Sequence, residues 1–341
     1  MIRFLMIVLV SLNLVFIGCS SMETKRDQYF SEGNSLLEKR DYTGAIVKYD
    51  RTLAIDPDFS DAYNNRGIAL FEIGAYEEAI ASYDRALQIN QNLVNANFNR
   101  AKANMQIREY EASLKDLQVV QGYYPDTLTL LFALGLNHYY LRNYNEAIDH
   151  FEKARQLDPS NSEIYVNMAS VFYSLKDYEI AIGYINDALQ IDDKQSHAFN
   201  VLGLIYWRKK QYDSALLMIN KAIEFDPENP FFLNNRGLIL VESGNFEIGL
   251  KDINHSLEIN PDNPWVYRNK GIYYLYTKNY SRAISLLEKT TSMDREIQLG
   301  HYYLGMAHLG NGDNKKACEA FKISEIMMED EGKSALSKYC R

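Results

Sequence analysis

The chain has 341 residues and a net charge of −9, from 36 basic and 45 acidic side chains, with no run of Lys or Arg forming a stripe. That balance excludes a phosphate-backbone partner, so nucleic acid is not expected. With 47% hydrophobic and 13% aromatic residues, 26 of them Tyr, the chain has ample material for a core, and its length exceeds that of a usual single globular domain.

Residues 2–17 are almost wholly apolar, carry one charge at Arg3, and stop at Phe16-Ile17-Gly18-Cys19. The stretch is short for a membrane span and has the layout of a secretory signal. Its Gly-Cys ending resembles a bacterial lipobox, with Phe16 where Leu is usual. The resemblance implies that residues 1–18 are removed and that Cys19 becomes the lipid-bearing first residue. An uncleaved anchor or an ordinary secretory peptide would export the rest of the chain as well. Ser20 follows the cysteine and no acidic pair stands nearby, which by the same resemblance implies an outer-membrane lipoprotein facing the periplasm. Residues 19–25 then form a linker of roughly 20 Å when extended.

From residue 26 onward the chain repeats every 34 residues. Tyr42, Tyr76, Tyr110, Tyr144, Tyr178, Tyr212, Phe246 and Tyr280 fall in arithmetic progression, and Ile46, Ile80, Leu114 and Ile148 begin a second series that ends at Cys318. Small residues recur too, as Gly33, Gly67, Ala101, Gly135 and onward to Gly305, and as Ala45, Ala79, Ser113, Ala147 and onward to Ala317. Pro57, Pro125, Pro159, Pro227 and Pro261 close five of the units, where a fixed φ and a missing N–H stop one helix before the next. Gln91, Asp193 and Arg295 stand there in three others, among turn-forming Asn and Asp. The units are 26–59, 60–93, 94–127, 128–161, 162–195, 196–229, 230–263, 264–297 and 298–331. Each reads as two amphipathic helices: Ala147, Ile148, Phe151 and Ala154 share one helical face and leave Glu146, Asp149, Glu152 and Lys153 to solvent. One hairpin cannot bury both its faces, so neighbours must stack.

On these residues the repeat resembles the tetratricopeptide repeat family: in the unit 60–93, Tyr63, Gly67 and Leu70 hold the first-helix positions, and Ala79, Tyr83 and Ala86 those of the second. The resemblance implies an all-α tetratricopeptide repeat solenoid, a right-handed superhelix of antiparallel helix pairs with nine repeats and a C-terminal capping helix over 332–341. It also implies binding of a protein or peptide partner along the first helices. The twelfth position of the units includes Phe71, Tyr139, Tyr173 and Trp207, and the fifth includes Asn64, Phe98, Phe132, Asn200, Asn234 and Arg268. Together they suggest a partner groove of aromatic anchors and amide clamps. The competing reading is that the same aromatics pack the repeat.

Arg66, Arg100, Arg236 and Lys270 share one position and invite an anion-binding reading. Pairing with Asp84, Asp116 and Asp252 of the second helices is the expected alternative. Asn34 and Asn65 match the asparagines of the carboxylate clamp in chaperone-binding members, but Phe30, Asn95 and Asn99 stand where its basic residues belong, which argues against capture of a peptide C-terminus. His138, His301 and His308 occupy helix-packing positions.

Cys318 and Cys340 are left once Cys19 takes the lipid. Ala335, Leu336 and Tyr339 give the terminal segment an apolar face, and its docking would bring the two thiols together; an exported protein favours the disulfide. The alternative is two reduced cysteines acting as small apolar residues. No Gly-x-x-x-x-Gly-Lys-Ser/Thr, Gly-x-Gly-x-x-Gly, Gly-x-Ser-x-Gly or His-Glu-x-x-His run occurs, so no catalytic residue, metal site or cofactor is expected. The expectation is a non-enzymatic interaction scaffold, lipid-anchored in the cell envelope and assisting assembly or recruitment of envelope proteins. A glycan- or nutrient-binding accessory lipoprotein is the alternative.

Overall fold

The computed structural model describes residues 22–125 and 127–340, so the apolar leader and Cys19 lie outside the described residues. Every regular element among them is helical. They form two compact units that meet in sequence at Pro159 and Ser160.

The first unit holds α1 (22–38), α2 (Tyr42–Ile55), α3 (Ser60–Glu72), α4 (Tyr76–Ile89), α5 (Val94–Gln106), α6 (Tyr110–Tyr123), α7 (Leu128–Tyr140) and α8 (Tyr144–Leu157). The second holds α9 (Ser162–Ser174), α10 (Tyr178–Ile191), α11 (Ser196–Arg208), α12 (Tyr212–Phe225), α13 (Pro230–Glu242), α14 (Phe246–Ile259), α15 (Pro264–Tyr276), α16 (Tyr280–Met293), α17 (Gly300–Gly310), α18 (Asn314–Ile326) and α19 (Asp330–Tyr339). Each odd-numbered helix through α17 packs antiparallel on the helix that follows it.

The hairpin turn is the same throughout. Arg40, Gly74, Arg108, Arg142, Lys176, Lys210, Gly244, Lys278 and Gly312 all have positive φ, between 57° and 93°, again at the 34-residue spacing. In the first turn the N–H of Arg40 donates to the carbonyl of Leu37 and that of Asp41 to the carbonyl of Leu36, the double bond that closes a helix on a left-handed residue. Gly74 and Ala75 repeat it on Phe71 and Leu70. Between units the chain restarts on side-chain caps. Asn229 accepts from the N–H groups of Phe231 and Phe232, and Asn263 from that of Trp265, with Pro230 and Pro264 in the first helical turn.

Inside each pair the core is built around the small residue of the first helix. Tyr49, Tyr83, Phe151 and Phe321 are fully buried, and their rings lie where a Cβ on Gly33, Gly67, Gly135 or Gly305 would come within 2.7 Å. Where the second helix supplies an aliphatic residue instead, as with Leu117 and Ile185, the first can carry Ala101 or Ala169. The small position is therefore a measured gap for the partner side chain.

First helices also touch first helices. In the second unit α9 packs on α11, α13 on α15 and α15 on α17, whereas the second helices make no comparable contact with each other. The odd-numbered helices thus form the inner face of that unit. The α19 helix lies on α18 and reaches α17, starting at Asp330 rather than at 332.

Candidate partner-binding face

In the first unit the inner face carries a ladder of asparagines. Asn65 Nδ2 donates to Asn34 Oδ1 at 3.0 Å, Tyr49 OH donates to the same oxygen at 2.8 Å, and Asn64 Nδ2 donates to Asn65 Oδ1 at 3.0 Å. Asn99 Nδ2 then donates to Asn64 Oδ1 at 3.1 Å. These bonds tie one helix pair to the next, so the amides are committed to stacking. Phe71, Phe98, Phe132 and Tyr139 are half-buried. Phe71 meets Tyr76 edge-on at 5.3 Å and lies under the Lys102 ammonium, while Tyr139 leans on Tyr140 and Tyr144. Phe132 packs edge-on against the buried Phe151.

The row of arginines is structural. Arg100 bonds both oxygens of buried Asp116 and reaches Asp84, and Arg236 grips Asp252 through Nε at 2.6 Å and Nη2 at 2.9 Å. Arg66 departs from the expected pairing: sixteen residues on, where Arg100 and Arg236 find Asp116 and Asp252, it finds Ser82, and its ion pair is with Asp50 at 2.7 Å, while Asp84 is held by Arg100 of the following pair.

The second unit places most of its expected groove residues under cover. Asn234 and Arg268 are buried, Trp207 is 8% exposed, and Asn200 accepts from Asn235 Nδ2 at 2.9 Å. Trp207 Nε1 donates to Glu242 Oε2 at 2.7 Å, and Tyr303 OH donates to Glu242 Oε1 at 3.0 Å. Arg268 lies over the Trp265 ring at 4.4 Å and donates to Asn269 Oδ1 and to the Gln298 carbonyl. It has no carboxylate within ion-pair distance among the described residues, and burial pushes its pKa down to about 10. Arg208 covers the Trp207 ring at 4.8 Å, donates to Tyr173 OH at 3.3 Å, and lies 3.6 Å from Glu331 at the start of α19. Burial raises the pKa of the Tyr173 and Tyr303 phenols, so both are protonated at neutral pH.

Arg208, Glu242, Tyr303 and Glu331 were not among the groove residues that the sequence suggested. A signal existed: Arg208 and Glu242 hold the position next to the aromatic one, where the charge changes from Glu38 and Glu72 to Arg208.

The C-terminal helix is fastened to this face's last pair. Cys318 and Cys340 are joined as a disulfide, with Cα atoms 5.6 Å apart, and Ala335 and Leu336 pack with Ala317 and Phe321.

Family models for the tetratricopeptide repeat match residues 30–93, 129–161, 162–195, 196–229 and 268–325, well over half of the chain. The chain belongs to the tetratricopeptide repeat family. Solved tetratricopeptide structures agree in fold: the Cut9–Hcn1 hetero-tetramer of the APC/C matches with a TM-score of 0.58 at 16% identity, over 87% of this chain and 59% of that one. This chain therefore spans little more than half of that relative's length. Pseudomonas aeruginosa pilF matches at 0.48 and 19% identity over 61% of this chain and 95% of that one, and yeast Tom70 at 0.43 and 14% over 93% and 96%. No curated protein matches this tetratricopeptide chain.

Proposed function

We propose that this protein is a non-enzymatic scaffold that binds a protein partner on the inner face of its helix pairs, held at the periplasmic side of a bacterial outer membrane by a lipid on Cys19. The observation that carries the partner reading is the inner face of each unit: half-buried Tyr139 in the first, and half-buried Tyr173 beside the aromatic-flanked Arg208 in the second, are the residue types that anchor protein interfaces. Assistance to assembly or recruitment of envelope proteins is the role that such an anchored scaffold would serve. The glycan-binding alternative has less support, because arginines lie over both tryptophan rings where a sugar would stack.

Site-specific photo-crosslinking tests the partner. A benzophenone side chain at Phe71, Tyr139 or Tyr173 should trap a discrete protein in cells, and one at outward-facing Ile180, Leu217 or Ile248 should not. Equal trapping from both faces overturns the assignment. For the anchor, mass spectrometry of the mature N-terminus should show a lipid on Cys19, and Cys19→Ala should release the protein from membranes. An intact leader with an unmodified Cys19 would sink that part.

A further inference from the structure

The α19 helix presents two adjacent acidic side chains to a distant part of the second unit. Asp330 meets Lys176 at 2.6 Å, across 154 residues of sequence, and Glu331 meets Arg208 at 3.6 Å. The acids sit at the first turn of α19, where the helix dipole favours negative charge. They face Lys176 and Arg208, and Arg208 and Arg268 lie close enough to repel each other. Against these three cations the inner face itself supplies Glu242, which is bonded by Trp207 and Tyr303. Without Asp330 and Glu331, that face would carry an excess of positive charge beside aromatic side chains.

We propose that the inner face of the second unit receives an acidic segment of a partner protein at Arg208 and Lys176, in competition with the chain's own Asp330–Glu331 pair. The proposal rests on the protein-partner reading above and supplies the chemistry of that partner. Arg208 is the contact: its side chain keeps 17% of its surface exposed, and its Nη1 faces Glu331 at 3.6 Å, the place that an incoming carboxylate would take over. Tyr173 positions it by accepting from Nε. Arg268 stays behind Arg208, too deeply buried to touch a ligand, and adds to the positive potential there. The ion pairs that α19 makes are weak: Lys176 and Asp330 are 59% and 80% exposed, and Glu331, itself 41% exposed, stands 3.6 Å from the largely covered Arg208. A competitor needs to offset little to displace them. The disulfide keeps α19 on α18 meanwhile, so displacement involves the acidic turn alone.

The test is fluorescence anisotropy of fluorescein-labelled hexaglutamate, with hexalysine as the opposite-charge control, on the full mature chain with its disulfide intact. The Asp330→Asn/Glu331→Gln variant should bind hexaglutamate about threefold to tenfold more tightly than the unaltered protein, the range expected from two weak ion pairs. Added salt should weaken that binding. Arg208→Gln, introduced into the same variant, should remove most of it, with circular dichroism reporting retained helix. Absence of hexaglutamate binding to the Asp330→Asn/Glu331→Gln variant at low salt, or binding indifferent to Arg208→Gln, overturns the acidic-segment assignment. Equal affinity with and without the α19 acids overturns the competition. If crosslinking from Tyr173 still traps a discrete partner, the partner reading survives the loss of its proposed chemistry; if neither occurs, both fall.

Discussion

At the scale of single residues, the gap between paired helices is set to within a few tenths of an ångström. A Cβ on Gly135 would lie 2.6 Å from the Phe151 ring, whereas one on Gly203 would meet nothing closer than 3.3 Å. Gly135→Ala should therefore destabilise by about 1–3 kcal/mol in urea unfolding, and Gly203→Ala should be near neutral. The periodic small residue was legible in the sequence. The size of the gap was not, because it depends on which ring faces it from sixteen residues on. Histidines that are half-buried, as His138 and His150, or buried, as His308, add a pH dependence. Burial lowers the pKa values of His138, His150 and His308 from 6.5. The unfolded chain then binds protons at a pH where the folded one still refuses them, so stability is full above about 6.5 and falls as the pH drops below it. Thermal melts from pH 7.5 to 5.5 should show the decline, and His150→Leu with His308→Leu should flatten it. An unchanged slope would show that these imidazoles protonate freely in the folded state.

At the scale of the helix pair, the left-handed turn residue is the feature that sequence reading passed over. Aromatic and small series drew attention because they repeat in kind, while this position alternates between Arg, Lys and Gly and repeats only in φ. Six of the nine turn residues are basic L-residues in a conformation that costs them roughly 1 kcal/mol each. Lys278→Gly should relieve this at a turn with φ of 60°, raising stability by about 0.5 kcal/mol once the extra freedom of the unfolded glycine is counted. Denaturant midpoints of the two proteins decide it, and a lower midpoint for the variant would refute the account. At the last pair, the loop of 22 residues closed by Cys318 and Cys340 limits the unfolded chain and contributes about 3 kcal/mol in the entropic model. Cys340→Ser should speed amide exchange in α17 to α19 while leaving α9 and α10 protected. Uniform protection would mean that side-chain packing alone holds α19.

At the scale of the whole chain, the 34-residue period made the family and the all-helical fold legible, since stacked hairpins leave little else for such a pattern to be. The inner face was less legible. Aromatic and amide positions could be located by phase, but the phase does not say that Asn64 would be spent on Asn99 or Trp207 on Glu242. Those commitments depend on how tightly successive first helices approach, which no single repeat encodes.

The ion pair between Lys176 and Asp330 stands apart from the local contacts around it, because 154 residues must already be ordered before it can form. Chain-closure entropy makes it a late event in folding, absent from the transition state. Interactions of that kind act on the rate of unfolding and hardly at all on the rate of folding. In a chevron plot, Asp330→Asn should raise the unfolding limb of the second unit and leave its folding limb in place. The contact thus works as a weak brake on that unit: it lengthens the life of the folded form by the small factor that a solvated pair allows, and has no say in how fast that form is made.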